Sequence, residues 1–78
     1  MRLVEIRATR AISVRQLARL ARVSPHTIHG IERGQVAPML VTIRKLSDAL
    51  GVEPIEVDEF RAVIERIIRG DPAALATA

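Results

Sequence analysis

The chain has no cysteine, no tryptophan and no tyrosine, and its one aromatic residue is Phe60. The missing thiols exclude a disulfide framework and any zinc site built on thiolates. With a single aromatic ring among 49% hydrophobic residues, the core must be assembled from Leu, Ile, Val and Ala, as in small helical bundles. Long apolar runs are missing as well. No stretch approaches the roughly 20 residues that span a bilayer, and Arg2, Glu5, Arg7 and Arg10 break up the apolar positions a signal-peptide core would need. The expected setting is therefore the cytoplasm. At 78 residues the chain holds one domain at most, near the lower limit for a core without cross-links, so dimerisation is an expected source of further burial. No strand is predicted anywhere.

Catalytic constellations are equally scarce. No serine, cysteine or carboxylate pair is set up for catalysis, and Gly30 and Gly34 fall at helical and helix-end positions rather than in a glycine-rich phosphate loop. Neither an enzyme nor a cofactor is expected.

What the chain does have is segregated charge. Residues 1–45 carry nine Arg/Lys against Glu5 and Glu32, a balance of +7, whereas residues 46–78 carry Arg61, Arg66 and Arg69 against seven acids, a balance of −4. A phosphate-facing half and a partner-facing half would look like this, and so would plain solvated helix faces.

The stretch Ser13–Gly34 decides between them, because its apolar residues and breakers are spaced as two short helices joined by a tight turn. Behind Ser13 as N-cap, a helix from Val14 to Ala21 places Leu17, Ala18 and Ala21 on one face. Val23 plugs the turn. Ser24 then caps a second helix, Pro25 to Glu32, with Pro25 at the first position, where a missing N–H costs nothing, and Ile28 and Ile31 buried. Gly34 stops it. The remaining Pro25, His26, Thr27, His29, Gly30 and Arg33 form a short polar or small-residue face of the kind that lies in a DNA major groove. Three more helices complete the reading: Arg2 to Thr9, Val41 to Leu50, and one starting near Pro54 or Asp58 and ending at Arg69 before Gly70 and Pro72.

Read in register, the chain resembles the Cro and phage-repressor type of helix-turn-helix domain, the XRE-like family. Leu3, Ile6 and Arg7 resemble its first helix, Ile12, Ser13, Leu17 and Ala18 its second, and Val23, Ser24, Thr27, Ile28, Ile31, Glu32 and Gly34 its third. Pro38, Leu40, Thr42, Ile43, Lys45, Leu46, Ala49, Leu50, Gly51, Val52 and Pro54 extend the likeness to roughly residues 2–57. The resemblance implies an all-α fold, a compact five-helix bundle of the lambda-repressor-like type. Residues 1–70 would form one DNA-binding domain ending in a dimerisation helix, and residues 71–78 a disordered tail.

It also implies roles. Arg7 and Glu32 stand where the family forms a buried ion pair. Pro25, His26, Gly30 and, on the same face, His29 are the expected base contacts; Ser24 and Thr27 are expected at phosphate or sugar. Ser13, Arg15, Arg33 and Gln35, near helix N-termini or the loop after the third helix, are further phosphate candidates. A metal site from His26, His29 and Glu32 is not expected, because Arg7 accounts for Glu32. Three departures stand out. Val14 replaces the usual Gln, Arg22 replaces a turn glycine and is expected to be left-handed, and the loop Val36, Ala37, Pro38 and Met39 is apolar instead of polar or basic.

The last helix carries a seam in which Val57, Phe60, Ile64 and Ile67 step by 3, 4 and 3, with Val63 and Ile68 widening it. A homodimer interface of Val57, Phe60, Ile64, Ile67 and Ile68 is expected; packing within one chain is the alternative. The function expected is a sequence-specific transcriptional regulator that binds double-stranded DNA as a dimer on a two-fold operator. The alternatives are an antitoxin or restriction-modification controller acting with a second protein, or a protein-interaction adaptor on the same fold.

Overall fold

The computed structural model describes residues 1–70, which form α1 (Leu3–Thr9), α2 (Val14–Ala21), α3 (Pro25–Glu32), α4 (Leu40–Leu50) and α5 (Asp58–Ile68). A 3-10 turn at Pro54–Glu56 leads into α5, so both starts weighed for the last helix are used. The fold is all-α, with no strand among the described residues. α2 and α3 take the expected bounds. α1 begins one residue later than expected, α4 begins one residue earlier, and α5 ends at Ile68. The tail expected to be disordered lies outside the described residues.

Local chemistry sets these boundaries. Ser13 Oγ accepts from Gln16 N at 3.1 Å while Gln16 Oε1 accepts from Ser13 N at 2.9 Å, a reciprocal box that satisfies two backbone donors at the start of α2. Arg22 ends α2 in the left-handed conformation, at φ 59° and ψ 45°, a geometry that costs a non-glycine residue about 1–2 kcal/mol. Ala11 is left-handed too, at φ 54°, which the sequence did not signal. Its twist lets Ile12 N return to Arg7 O at 3.0 Å and swings the chain from α1 into α2.

α2 packs against both α3 and α4. Around it, α1 buries Leu3 and Ile6, α3 buries Ile28 and Ile31, α4 buries Ile43, Leu46 and Leu50, and α5 buries Phe60 and Val63 beside Val57. This core holds the helix-turn-helix unit rigid from behind. The start of α1 is tied to the start of α5: Leu3 N donates to Glu59 Oε1 at 2.8 Å, Asp58 N to Met1 O at 2.8 Å, and the Met1 amino group to Asp58 Oδ1 at 3.1 Å. Part of the acidic half of the chain is thus engaged internally. Arg10 reaches from the end of α1 to donate to Leu50 O, placing a cation at the negative end of the α4 dipole.

One buried group is left over. Ser47 is 1% exposed and its hydroxyl has no hydrogen-bond partner among the described residues. Because an orphaned buried hydroxyl bears its desolvation cost without compensation, Ser47→Ala should stabilise the domain by about 1 kcal/mol. A chemical-denaturation midpoint that falls in the variant would mean the hydroxyl has a partner in solution.

Candidate nucleic-acid interface

α3 divides cleanly by its own periodicity. Ile28 and Ile31 are 0% and 1% exposed and face the core, while Pro25, His26, His29 and Arg33 are exposed along the other side. At 100° per residue these four fall within one arc of about 100°. The helix start is fixed by Ser24, whose Oγ accepts from Thr27 N at 3.1 Å and lies 2.9 Å from Thr27 Oγ1. Only one of the two hydroxyl hydrogens can lie in that contact. The other is left to donate outward from the exposed end of α3.

The two base-contact expectations that differ most are His26 and Gly30. His26 is exposed. Gly30 is buried, and a Cβ placed on it would come within 2.8 Å of Val36 Cγ2. The loop after α3 folds back over it, with Gln35 N and Val36 N both donating to Gly30 O, at 2.8 and 3.3 Å. Gly30 therefore leaves the set of surface residues: its missing side chain makes room for Val36, which stands on the surface in its place at 51% exposure. The sequence singles out Val36 only as part of an apolar loop, not as a neighbour of the α3 stripe. The available signal was a glycine inside a helix that needs no unusual backbone conformation, which points to a close approach by another segment.

Of the other candidates, Ser13, Arg15, Ser24, Arg33 and Gln35 are exposed and Thr27 is half-buried. Arg15, Arg19, Arg22, Arg33, Arg44 and Lys45 make no ion pair or side-chain hydrogen bond with any described residue. Their charge is directed to solvent, where an anionic partner can neutralise it.

Arg7 and Glu32 meet behind this surface. Arg7 Nε donates to Glu32 Oε2 at 2.9 Å and Nη2 to Oε1 at 3.2 Å, a two-pronged contact between side chains 18% and 10% exposed. Nη1 also donates to Ile12 O at 3.2 Å. The hydrogen bond to Glu32 raises the Arg7 pKa, against the lowering effect of burial. The pair pins the last residue of α3 to α1 and so fixes where the exposed stripe points.

A helix ended by a left-handed turn, a second helix capped by serine with an outward polar stripe, and an ion pair bracing that second helix are now all in place. Residues 1–60 match the family model described as a helix-turn-helix domain. The chain belongs to that family. Its all-helical architecture and its match place it with the Cro-like and XRE-like helix-turn-helix proteins, and such a domain suggests a DNA-binding regulator. No curated protein and no solved structure matches the chain significantly.

For this helix-turn-helix domain the seam on α5 needs correction. Val57 and Phe60, expected at a dimer interface, are both 0% exposed and belong to the chain's own core. The 3-10 turn and the tie from α1 to α5 fold them inward, so the five helices do cover Phe60. Ile64 and Ile67 are half-buried, Ile67 packing against the core, and Ile68 is 77% exposed. Ile64 also lines a groove with Leu40, Arg44, Asp48 and Pro54. Among the described residues no group of three or more His, Cys, Asp or Glu is placed to hold a metal ion, and no helix is long and apolar enough to cross a membrane.

Proposed function

We propose that this domain is a sequence-specific transcriptional regulator that inserts α3 into the major groove of double-stranded DNA and binds a two-fold operator as a homodimer. The observation that carries the reading is the exposed stripe Pro25, His26, His29 and Arg33 on a helix braced from behind by Arg7 and Glu32. The balance of +7 over residues 1–45 supports it, since neutralising phosphates supplies most non-specific affinity. In this reading residues 1–70 are one DNA-binding unit. Pro25, His26 and His29 face base edges; Ser13, Arg15, Ser24, Thr27, Arg33 and Gln35 face the backbone. An imidazole presents two ring nitrogens, which lets His26 pair with several base edges.

Selection of bound duplexes from a random pool, followed by titration of the selected and a scrambled duplex at two salt concentrations, tests this directly. Arg15→Ala and Arg33→Ala should weaken binding to both duplexes alike and reduce the salt slope by about one unit per lost phosphate contact. His26→Ala should lose about 1–3 kcal/mol on the selected duplex and little on the scrambled one. Equal losses on both would make His26 a backbone contact. Failure to enrich any duplex would remove the DNA-binding reading.

The dimer in this proposal uses what α5 leaves at least partly uncovered: half-buried Ile64 and exposed Ile68, continued by Leu40 across the groove. Two copies related by a two-fold axis would set their α3 helices about one DNA turn, roughly 34 Å, apart. Ile64→Glu with Ile68→Glu should therefore give a monomer in sedimentation equilibrium and weaken operator binding, with helicity unchanged. A wild-type chain that sediments as a monomer at micromolar concentration, with and without its duplex, would confine the stripe to the monomer surface.

A further inference from the structure

The apolar loop after α3 has its most constrained member at Val36. Both backbone N–H groups at Gln35 and Val36 converge on Gly30 O, and the Val36 side chain lies against the bare Cα of Gly30, its Cγ2 2.8 Å from where a Cβ would be. Pro38, just beyond, is buried and anchors the far end of the loop. Yet Val36 remains 51% exposed. It is an isopropyl group held on the surface beside α3, and as a β-branched side chain it has little rotamer freedom to lose on binding.

That place is specific. Gly30 follows His26 by four residues, so it is the next position along the helix surface, about 6 Å further on and about 40° around. Val36 therefore borders the exposed stripe of α3 directly beyond His26. Base pairs in a duplex rise about 3.4 Å each, which puts Val36 one to two base pairs from whatever His26 reaches. The exposed apolar feature of the major groove is the thymine 5-methyl group, and apolar side chains are its partners. From this we infer that Val36 is a specificity-determining residue that reads the 5-methyl group of a thymine one or two base pairs from the base contacted by His26. The inference rests on α3 lying in the major groove, as proposed above, and assigns recognition to a residue outside α3.

Deoxyuridine scanning isolates the methyl group. Each thymine of the duplex selected by the wild-type protein is replaced in turn by deoxyuridine, and affinity is measured by fluorescence anisotropy for wild type, Val36→Ala and His26→Ala. One thymine per half-site should be sensitive, with wild-type binding weakened about three- to fivefold on loss of its methyl, the scale of one buried methyl group. For Val36→Ala the same replacement should change binding less than twofold, while His26→Ala should retain the wild-type sensitivity. Val36→Thr, which keeps the shape and one of the two γ-methyl groups, controls for loop collapse and should keep at least part of the wild-type sensitivity. A wild-type profile flat at every thymine, a selected half-site without thymine, or equal sensitivity in wild type and Val36→Ala would overturn the role of Val36 while leaving the DNA-binding reading intact. Absence of any selected duplex would overturn both.

Discussion

Arg7→Ala and Glu32→Ala are each expected to destabilise the domain by about 3 kcal/mol, whereas replacing both together by apolar residues, as in Arg7→Met with Glu32→Leu, should cost much less. The side chains are 18% and 10% exposed and joined by two hydrogen bonds, so removing one partner strands a mostly buried charge, and breaking such pairs costs about 3–5 kcal/mol. A domain of 78 residues has a total stability of only about 4–12 kcal/mol. Each single variant should therefore lose a large share of it, with Tm falling by on the order of 15 °C. The double variant removes both charges and leaves neither orphaned. Thermal unfolding of the four proteins closes the cycle, and additive single losses would show that the two side chains act independently. Glu32 holds the Arg7 pKa above its usual value, so the contribution of Arg7 is present below the guanidinium range and lost only as pH rises through it. Raising the pH to about 10 should leave the pair intact.

The pair was legible in the sequence only through family likeness: Arg7 and Glu32 lie 25 residues apart, and no periodicity joins them. The helix-turn-helix itself was legible from local chemistry. Ser13, Ser24 and Pro25 mark helix starts because their side chains or rings suit the first turn, and Leu17, Ala18, Ala21, Ile28 and Ile31 recur at helical spacing because one face must be buried. Left-handed Arg22 was readable from the glycine it replaces. Left-handed Ala11 was not, since alanine is a strong helix former and only the tertiary requirement that Ile12 return to Arg7 O overrides it. Gly30 and Val36 show the same limit at the site. A stripe drawn on an isolated helix counts Gly30 as surface; the loop that covers it is visible only in three dimensions.

The seam on α5 failed to disclose its own partner for a related reason. A stripe of Val57, Phe60, Ile64 and Ile67 reports that one face avoids water, and the same pattern serves a core or a second copy. The choice was made by elements outside the seam. Leu3 N donating to Glu59 and the Met1 amino group held at Asp58 draw α1 over the first turn of α5. The seam residues Val57 and Phe60 are thereby enclosed, Ile64 and Ile67 are half-covered, and Ile68 is left outside.

That division predicts sharply different outcomes along a single helix. Phe60→Ala should cost about 3–5 kcal/mol, because Phe60 is 0% exposed within the continuous core and truncating a buried ring leaves a cavity the surrounding Leu, Ile and Val side chains fill only in part. Against a total of about 4–12 kcal/mol, this brings the domain close to unfolding at 25 °C. Phe60→Leu, which keeps most of the volume, should retain a cooperative transition and makes the effect measurable if the alanine variant does not fold. Ile68→Ala, at 77% exposure, should change the stability of the isolated monomer by no more than about 0.5 kcal/mol. The decisive control is concentration. A core residue destabilises the chain by the same amount at every protein concentration, whereas a residue buried only between copies shows a loss that shrinks as mass action is removed on dilution. Denaturant unfolding of Phe60→Leu and Ile68→Ala at two concentrations a hundredfold apart separates the cases. A Phe60→Leu loss that disappears on dilution would return Phe60 to the interface between copies.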